Sequence, residues 1–275
     1  MSLHASPIDL LSDGHIHTRF CHHAIGEMEE YVLAAINKGL KEICFLEHME
    51  AGIRYPETTW LTEEDFELYF SEGKRLRGKY PDQITIGLGV EVGYNPERSE
   101  ELLERLSGRQ WDRIGVSFHY ANIPGHSHHL NLLSRKEENI RRARDIGPEW
   151  LLSNYFEVLT EAVCTLPGTV LCHLDAALRY IPDLRYSVEH LDRIEQLLRA
   201  VKSRGMAAEI NTSGLPIRGE PFPARTVLRM IMDHGIPLVA GSDAHRPEDV
   251  GRSFDMLEEY ITSAVSPSPP RETWR

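Results

Sequence analysis

Seven short apolar runs in this 275-residue chain each lead into side chains of metal-ligand type. They finish at Asp13-Gly14-His15-Ile16-His17, Leu46-Glu47-His48, Gly89-Val90-Glu91, Ser117-Phe118-His119, Cys172-His173, Glu209-Ile210-Asn211 and Gly241-Ser242-Asp243-Ala244-His245. The runs lie at about 8–12, 42–46, 85–90, 113–118, 169–172, 207–210 and 237–240. They are mostly non-alternating, as strands buried on both faces are. Helical patterns separate them, at 25–38, 66–79, 97–106, 150–164, 187–204, 223–234 and 247–264. Thr62-Glu63-Glu64-Asp65 marks a helix start, and Gly39, Gly205 and Gly235 mark stops. Seven strand–helix alternations with no eighth predict an α/β fold, a distorted seven-stranded (β/α)7 barrel. Strand C-terminal ends in such folds converge on one crevice, so these side chains are expected to meet there.

His15-x-His17 puts two imidazoles on one side of a strand, because side chains repeat every two residues. Both can grip one ion. Asp243-x-His245 repeats the spacing on the last strand. Glu91 adds a carboxylate, which can bridge two ions where an imidazole cannot. Neutral imidazoles supply affinity and the two carboxylates offset charge. The pattern points to several close cations.

Charge and cysteine usage narrow the setting. The formal net charge is −12, and the richest basic stretch, 135–144, is interrupted by Glu137 and Glu138. Stable nucleic-acid binding is therefore not expected. A small phosphorylated metabolite remains compatible, because bound metals would supply local positive charge. Cys21, Cys44, Cys164 and Cys172 form no CxxC pair, and Cys44 and Cys172 sit in strand-like runs as buried thiols. A reducing cytoplasm is the expected location. No apolar run approaches the roughly 18 residues of a membrane span. Residues 1–265 read as a single domain, and the Pro/Ser-rich segment 266–275 as a frayed tail.

The order HxH, His, Glu, His, His, DxH resembles the PHP (polymerase and histidinol phosphatase) superfamily, from Asp13 to His245. Phe20-Cys21-x-His23, Ser117-Phe118-His119 and Glu209-Ile210-Asn211-Thr212-Ser213-Gly214 look most like its histidinol-phosphatase branch. The resemblance implies a PHP-type (β/α)7 barrel with two or three divalent transition-metal ions, zinc, manganese or iron. It implies that His15, His17, Glu91 and Asp243 share one ion. Glu91, His119 and His173 would hold the second, and His23, His48 and His245 the third. His23 is preferred to His22 because its spacing after the HxH pair fits the family. One departure is Glu47, where many relatives have Asp before the second-strand His. Glu47 and, better, Asp13 are candidates to orient an imidazole from behind.

Outside that set, Arg179 and Arg218 follow strand ends and are candidate phosphate binders, since a guanidinium fork suits a phosphate monoester. The bland alternative for Arg179 is a surface pair with Asp183. Arg54 is a third, weaker candidate. Glu50 and Glu57 could meet an amine-bearing substrate or be ordinary acidic loop residues. His126, His128 and His129 read as a solvated polar loop or a lid, within a long segment, 120–148, expected over the barrel mouth. His190 and His234 lie on helices and are expected at the surface.

The expected activity is metal-dependent phosphate monoester hydrolysis. The resemblance makes L-histidinol phosphate, cleaved to L-histidinol and phosphate in histidine biosynthesis, the specific expectation. Glu91, Asp243 and His245 are the catalytic candidates, with Asp243 or His245 protonating the leaving alkoxide. No GxSxG nucleophile signature is present. A phosphoesterase acting on nucleotides or short oligonucleotides would share every ligand, and turnover would separate the two. A metal-dependent amidohydrolase would normally show a carboxylated Lys or a lone late-strand Asp; His48, His119 and His245 argue against it. A non-enzymatic metal-binding module would need broken ligands, and the set is complete.

Overall fold

The computed structural model describes residues 8–265. The expected tail, 266–275, and residues 1–7 lie outside the described residues. The strands are β1 (Ser12–Ile16), β2 (Glu42–Glu50), β3 (Thr85–Gly93), β4 (Ile114–Ser117), β5 (Tyr120–Ala121), β6 (Leu130–Asn131), β7 (Val170–Leu171), β8 (Ala207–Asn211) and β9 (Leu238–Gly241). Seven of them form one parallel sheet in the order β1-β2-β3-β4-β7-β8-β9. The sheet curls until its edges meet. Ile16 bridges Ala244, the His17 amide donates to the Ala244 carbonyl at 2.9 Å, and the Asp243 amide to the His15 carbonyl at 2.9 Å. The result is a nearly closed seven-stranded α/β barrel, as the alternation predicts.

Helices α1 (Met28–Asn37), α2 (Glu63–Lys79), α3 (Ser99–Ser107), α4 (Glu137–Ile146), α5 (Pro148–Thr165), α6 (Val188–Ser203), α7 (Leu215–Arg218) and α8 (Arg225–Asp233) lie between the strands, and α9 (Leu257–Val265) follows the last of them. Their starts are chemically marked. Thr62 Oγ1 accepts the Asp65 amide at 3.1 Å while Asp65 accepts the Thr62 amide at 3.0 Å, satisfying two amides that a helix N-terminus leaves open. The core lies between strands and helices. Tyr69 of α2, fully buried, packs on Phe66 and Phe70 and donates to the carbonyls of Phe45 (3.1 Å) and Gly89 (3.0 Å).

Two expectations change, and a third gains detail. The first strand is Ser12–Ile16, not 8–12, so it runs into the HxH motif. Asp9 Oδ1 accepts the Leu11 amide at 2.9 Å and turns the chain where the apolar residues suggested a strand. The last helix starts at Leu257, not at 247. Gly251 and Ser253 adopt positive φ (60° and 57°), and the Gly251 amide bonds Asp13 Oδ2 at 2.7 Å. That tie holds the segment against β1 instead of letting it wind. The long segment 120–148 resolves into the antiparallel β5–β6 pair and α4, which adjoin the barrel mouth.

Candidate functional site

All nine metal-ligand candidates meet at the strand C-terminal end of the barrel. β1 carries His15, with His17 one residue beyond it; β2 carries His48 and β3 carries Glu91. Register places His48 beside Glu91. His119, His173, Asp243 and His245 follow β4, β7 and β9, and His23 comes from the turn after β1. Two ligands about 2.0–2.1 Å from one tetrahedral or octahedral ion stand about 2.9–3.4 Å apart. The observed spacings resemble such polyhedron edges. His15 Nε2 is 2.9 Å from His17 Nε2, 3.5 Å from Glu91 Oε2 and 3.9 Å from Asp243 Oδ1. His17 Nε2 is 3.5 Å from Glu91 Oε2 and 3.4 Å from Asp243 Oδ1.

Glu91 faces two sets of imidazoles. Its Oε2 meets His15, His17 and, at 2.9 Å, His48 Nδ1. Its Oε1 meets His173 Nε2 at 2.7 Å and His119 Nε2 at 3.1 Å, and Ser117 Oγ donates to the same oxygen. Farther out, His23 Nε2 and His245 Nε2 stand 2.8 Å apart. His48 shares a possible donor cluster with His17 and His245. Glu91 Oε2 and His48 Nδ1 are buried without a well-aligned hydrogen bond. Inward-facing nitrogens and an orphaned carboxylate oxygen fit a group of cations.

Carboxylates and carbonyls fix these rings from behind. Glu209 Oε1 lies 2.7 Å from His15 Nδ1, while its Oε2 accepts the His173 amide at 2.9 Å. Glu50 Oε1 lies 2.7 Å from His119 Nδ1. Nδ1 of His23 and of His245 are held by the carbonyls of Cys21 (2.8 Å) and Asp243 (3.0 Å). Glycines provide the room. A Cβ on Gly241 would stand 2.0 Å from Glu209 Oε1, and one on Gly93 would stand 1.9 Å from Glu50 Oε1. The ring-orienting roles of Glu209 and Glu50 were missed by sequence reasoning. The available signal was strand periodicity: Glu50 shares a face with His48, and Glu209 with Asn211.

Asp13 and Glu47 are both buried, but neither contacts an imidazole ring, contrary to expectation. Asp13 accepts the amides of Ser242 (2.9 Å), Gly251 (2.7 Å) and His15 (3.4 Å) and thereby ties β1 to the chain after β9. Glu47 accepts the Thr18 amide at 2.8 Å and hydroxyl at 2.5 Å, which fixes the turn leading to His23. Burial pushes the Glu47 carboxyl up to about 8 against those hydrogen bonds. His173 and Asp243 adopt positive φ, 24° and 51°. Nearby amide bonds hold Asp243 in that shape: its own to His15 and that of Ser242 to Asp13.

The electrostatics divide the cluster. Burial opposes ionisation of Glu91, yet His119, His15, His48 and His173 hold its carboxyl well below the usual range. Burial likewise opposes charge on Asp243, and His17, His15 and His245 outweigh it. His119 is desolvated, but Glu91 and Glu50 raise it to about 10. His17 is driven far down by burial and by His48 and His245. His23 falls to about 3 through burial, His245 and His48. The rings driven down, His17 and His23, have lone pairs to offer, whereas His15, against its burial, is pushed up by Glu209 and Glu91.

The cluster floors a cavity of about 510 Å³. Tyr55, Glu57, Tyr120, Arg135, Lys136, Arg179, Tyr180 and Arg246 contribute to its walls. Arg179 donates through Nε to the Leu133 carbonyl at 3.2 Å and faces the cavity; its Nη atoms have no ion-pair partner among the described residues. Arg218 departs from the expected phosphate role. Its fork closes on buried Asp175 at 3.1 and 3.2 Å, its plane covers Phe222 at 4.1 Å, and it lies off the cavity lining. Arg54 also points elsewhere, to Ser127 and Asn122.

Glu57 pairs with Lys136 at the cavity wall. His22 turns toward Asp65 at 3.3 Å, leaving His23 in the cluster. His126 and His128 are exposed, whereas His129 is buried and accepts the Arg54 amide at 3.1 Å. His190 is buried, not at the surface: its Nδ1 accepts the Ser187 amide at 3.1 Å in a capping box, and its Nε2 lies 3.0 Å from the Glu149 carbonyl. His234 lies at the edge of α8, partly covered and 2.9 Å from Glu195.

The chain is similar to known proteins in sequence and in fold. The PHP domain family matches residues 13–213, and the PHP-associated family matches 224–265. A Deinococcus radiodurans protein named "Probable histidinol-phosphatase" is 30% identical, over 90% of this chain and 92% of its own. The Bacillus subtilis histidinol-phosphatase is 28% identical, over 90% of this chain and 98% of its own. Among solved structures, a Listeria monocytogenes chain superposes with a TM-score of 0.73 at 23% identity, covering 89% of this chain and 99% of that one. A Lactococcus lactis histidinol phosphate phosphatase, complexed with zinc, L-histidinol and phosphate, gives 0.67 at 22%, covering 92% and 93%. The two structures establish the shared fold.

Proposed function

The chain belongs to the PHP domain family, and from that premise we infer that it is a metal-dependent phosphatase cleaving L-histidinol phosphate to L-histidinol and phosphate. The observation that carries this reading is Glu91, one carboxylate shared between two sets of imidazoles at the floor of an open cavity. His15, His17, Glu91 and Asp243 would hold one divalent ion, Glu91, His119 and His173 a second, and His23, His48 and His245 a third. Zinc, manganese and iron all suit such donors. When bound, the ions supply charge that lowers the pKa of water and offsets the phosphoryl oxygens.

The chain's own groups do the positioning. Glu209 and Glu50 keep two ring nitrogens aimed inward. The Arg179 fork grips phosphate oxygens from the wall, and Arg135, Lys136 and Arg246 add positive potential there. Charge stabilisation then serves an in-line displacement without a covalent protein intermediate. Neither Asp243 nor His245 is free to protonate the leaving alkoxide: the neighbouring imidazoles hold the Asp243 carboxyl well below the usual range, and both His245 nitrogens are engaged, Nδ1 by the Asp243 carbonyl and Nε2 by His23. The substrate is a small cytoplasmic metabolite in this reading. No described helix is long and apolar enough to cross a membrane.

The test is turnover of L-histidinol phosphate against nucleotide monophosphates, with the protein loaded separately with zinc, manganese and iron. Histidinol phosphate should give the highest kcat/KM, and metal-free protein should be inactive. Preference for nucleotides would replace the substrate assignment. Full activity without metal would overturn the whole reading.

A further inference from the structure

We propose that Cys21 is a thiolate ligand to the outermost ion of the cluster, forming a mixed sulfur–nitrogen site with His23 and His245. The proposal rests on the reading of this cluster as a metal centre, and it adds a donor to the nine already assigned.

Cys21 is fully buried, and its sulfur and the two imidazoles form a donor group whose ligand atoms lie within 4.8 Å of one another. The local backbone makes the approach. Thr18 caps a short turn over Arg19–Cys21, accepting the Cys21 amide at its carbonyl at 3.0 Å. His22 then adopts φ 61°, and its amide bonds the Arg19 carbonyl at 3.0 Å. This reversal brings Cys21 and His23 to one side while His22 faces Asp65. A cysteine serving only as a small core hydrophobe needs no imidazoles grouped around its sulfur.

The other buried cysteines have different settings. Cys44 packs with Leu46, Val170 and Cys172 in an apolar cluster. Cys172 lies near His15 and Glu209, but that carboxylate already takes His15 Nδ1 at 2.7 Å. Only a thiolate binds the ion, so ligation moves the Cys21 proton to solvent as the metal–sulfur bond forms. A soft sulfur donor biases the outermost position toward zinc over manganese. The inner positions, with nitrogen and oxygen donors alone, discriminate less.

The experiment loads the full chain with cobalt(II) and records its near-ultraviolet spectrum, with metal content measured in parallel. Wild type should show a thiolate-to-cobalt charge-transfer band. Cys21→Ser should lose the band, whereas Cys172→Ser and Cys164→Ser should keep it. Zinc-loaded wild type, dialysed against excess manganese, should retain one zinc that Cys21→Ser loses. X-ray absorption on zinc-loaded wild type should contain a sulfur contribution at about 2.3 Å, which needs no folded variant. Metal uptake with no sulfur signal, or a band lost in Cys172→Ser instead, overturns the proposal while leaving the metal centre intact. Failure to take up any metal overturns both.

Discussion

Glu209 holds His15 through Nδ1 at 2.7 Å and, with its other oxygen, accepts the main-chain amide of His173 at 2.9 Å. One carboxylate from β8 therefore positions a ring on β1 and the chain after β7. Glu209→Ala should weaken metal affinity by about 10–100-fold. Glu209→Gln should lose less, since its amide oxygen can still accept from the ring. Competition with a chelator measures both. Equal, wild-type affinities would remove Glu209 from the site.

Glu91 meets both sets of imidazoles, so its loss should be felt in both. His15→Ala, Glu91→Ala and Asp243→Ala should each lower turnover by orders of magnitude, Glu91→Ala most. Elemental analysis should find the largest metal loss in Glu91→Ala. Turnover of Glu91→Ala near the wild-type value would contradict the assignment.

Chelation should also lower thermal stability. Metal at about 100 times its Kd stabilises a fold that alone binds it by about 2.7 kcal/mol. The thermal midpoint should fall with a chelator and recover with added zinc. An unchanged midpoint would mean that the cluster does not bind zinc tightly in the folded chain.

Arg179 and Arg218 should now behave differently. Arg179→Ala should reduce kcat/KM by about one to two decades and weaken inhibition by inorganic phosphate, with bound metal unchanged. Arg218→Ala leaves buried Asp175 without its partner, which costs about 3 kcal/mol of stability. Urea unfolding should detect that loss, and phosphate inhibition should stay near wild type. The reverse pattern would return the phosphate grip to Arg218.

His190→Ala should destabilise the fold by about 1 kcal/mol, because it removes part of the cap that starts α6. Its kcat and KM should not change. A kinetic defect without a stability loss would place His190 in the site after all.

The barrel and the convergence of its imidazoles and carboxylates were legible because two patterns agree: apolar runs of strand length, and ligand types at their ends. Finer readings failed where direction decides the outcome. Ile8 to Leu11 look like a strand by composition, yet Asp9 bends them into a turn. Arg218 sits at a strand-end loop as expected, but spacing cannot say that its fork faces Asp175. Ser187-x-x-His190 is a capping box with an imidazole where Glu or Gln is usual, so its signature was hidden. Glu50 looked like an ordinary acidic residue because β2 runs four residues past the expected end and buries it beside His119.

Asp243 and His173 sit in left-handed backbone that residues with side chains avoid, at a cost of about 1 kcal/mol or more each. Glycine would relax the main chain at either position and remove the donor atom together with the strain. A laboratory selection for heat resistance alone, blind to turnover, would be free to relax His22, Leu178 and Ser253, which share this backbone strain outside the cluster. At Asp243 and His173 the same relief would empty a place in the cluster, so there heat resistance and the donor set pull in opposite directions.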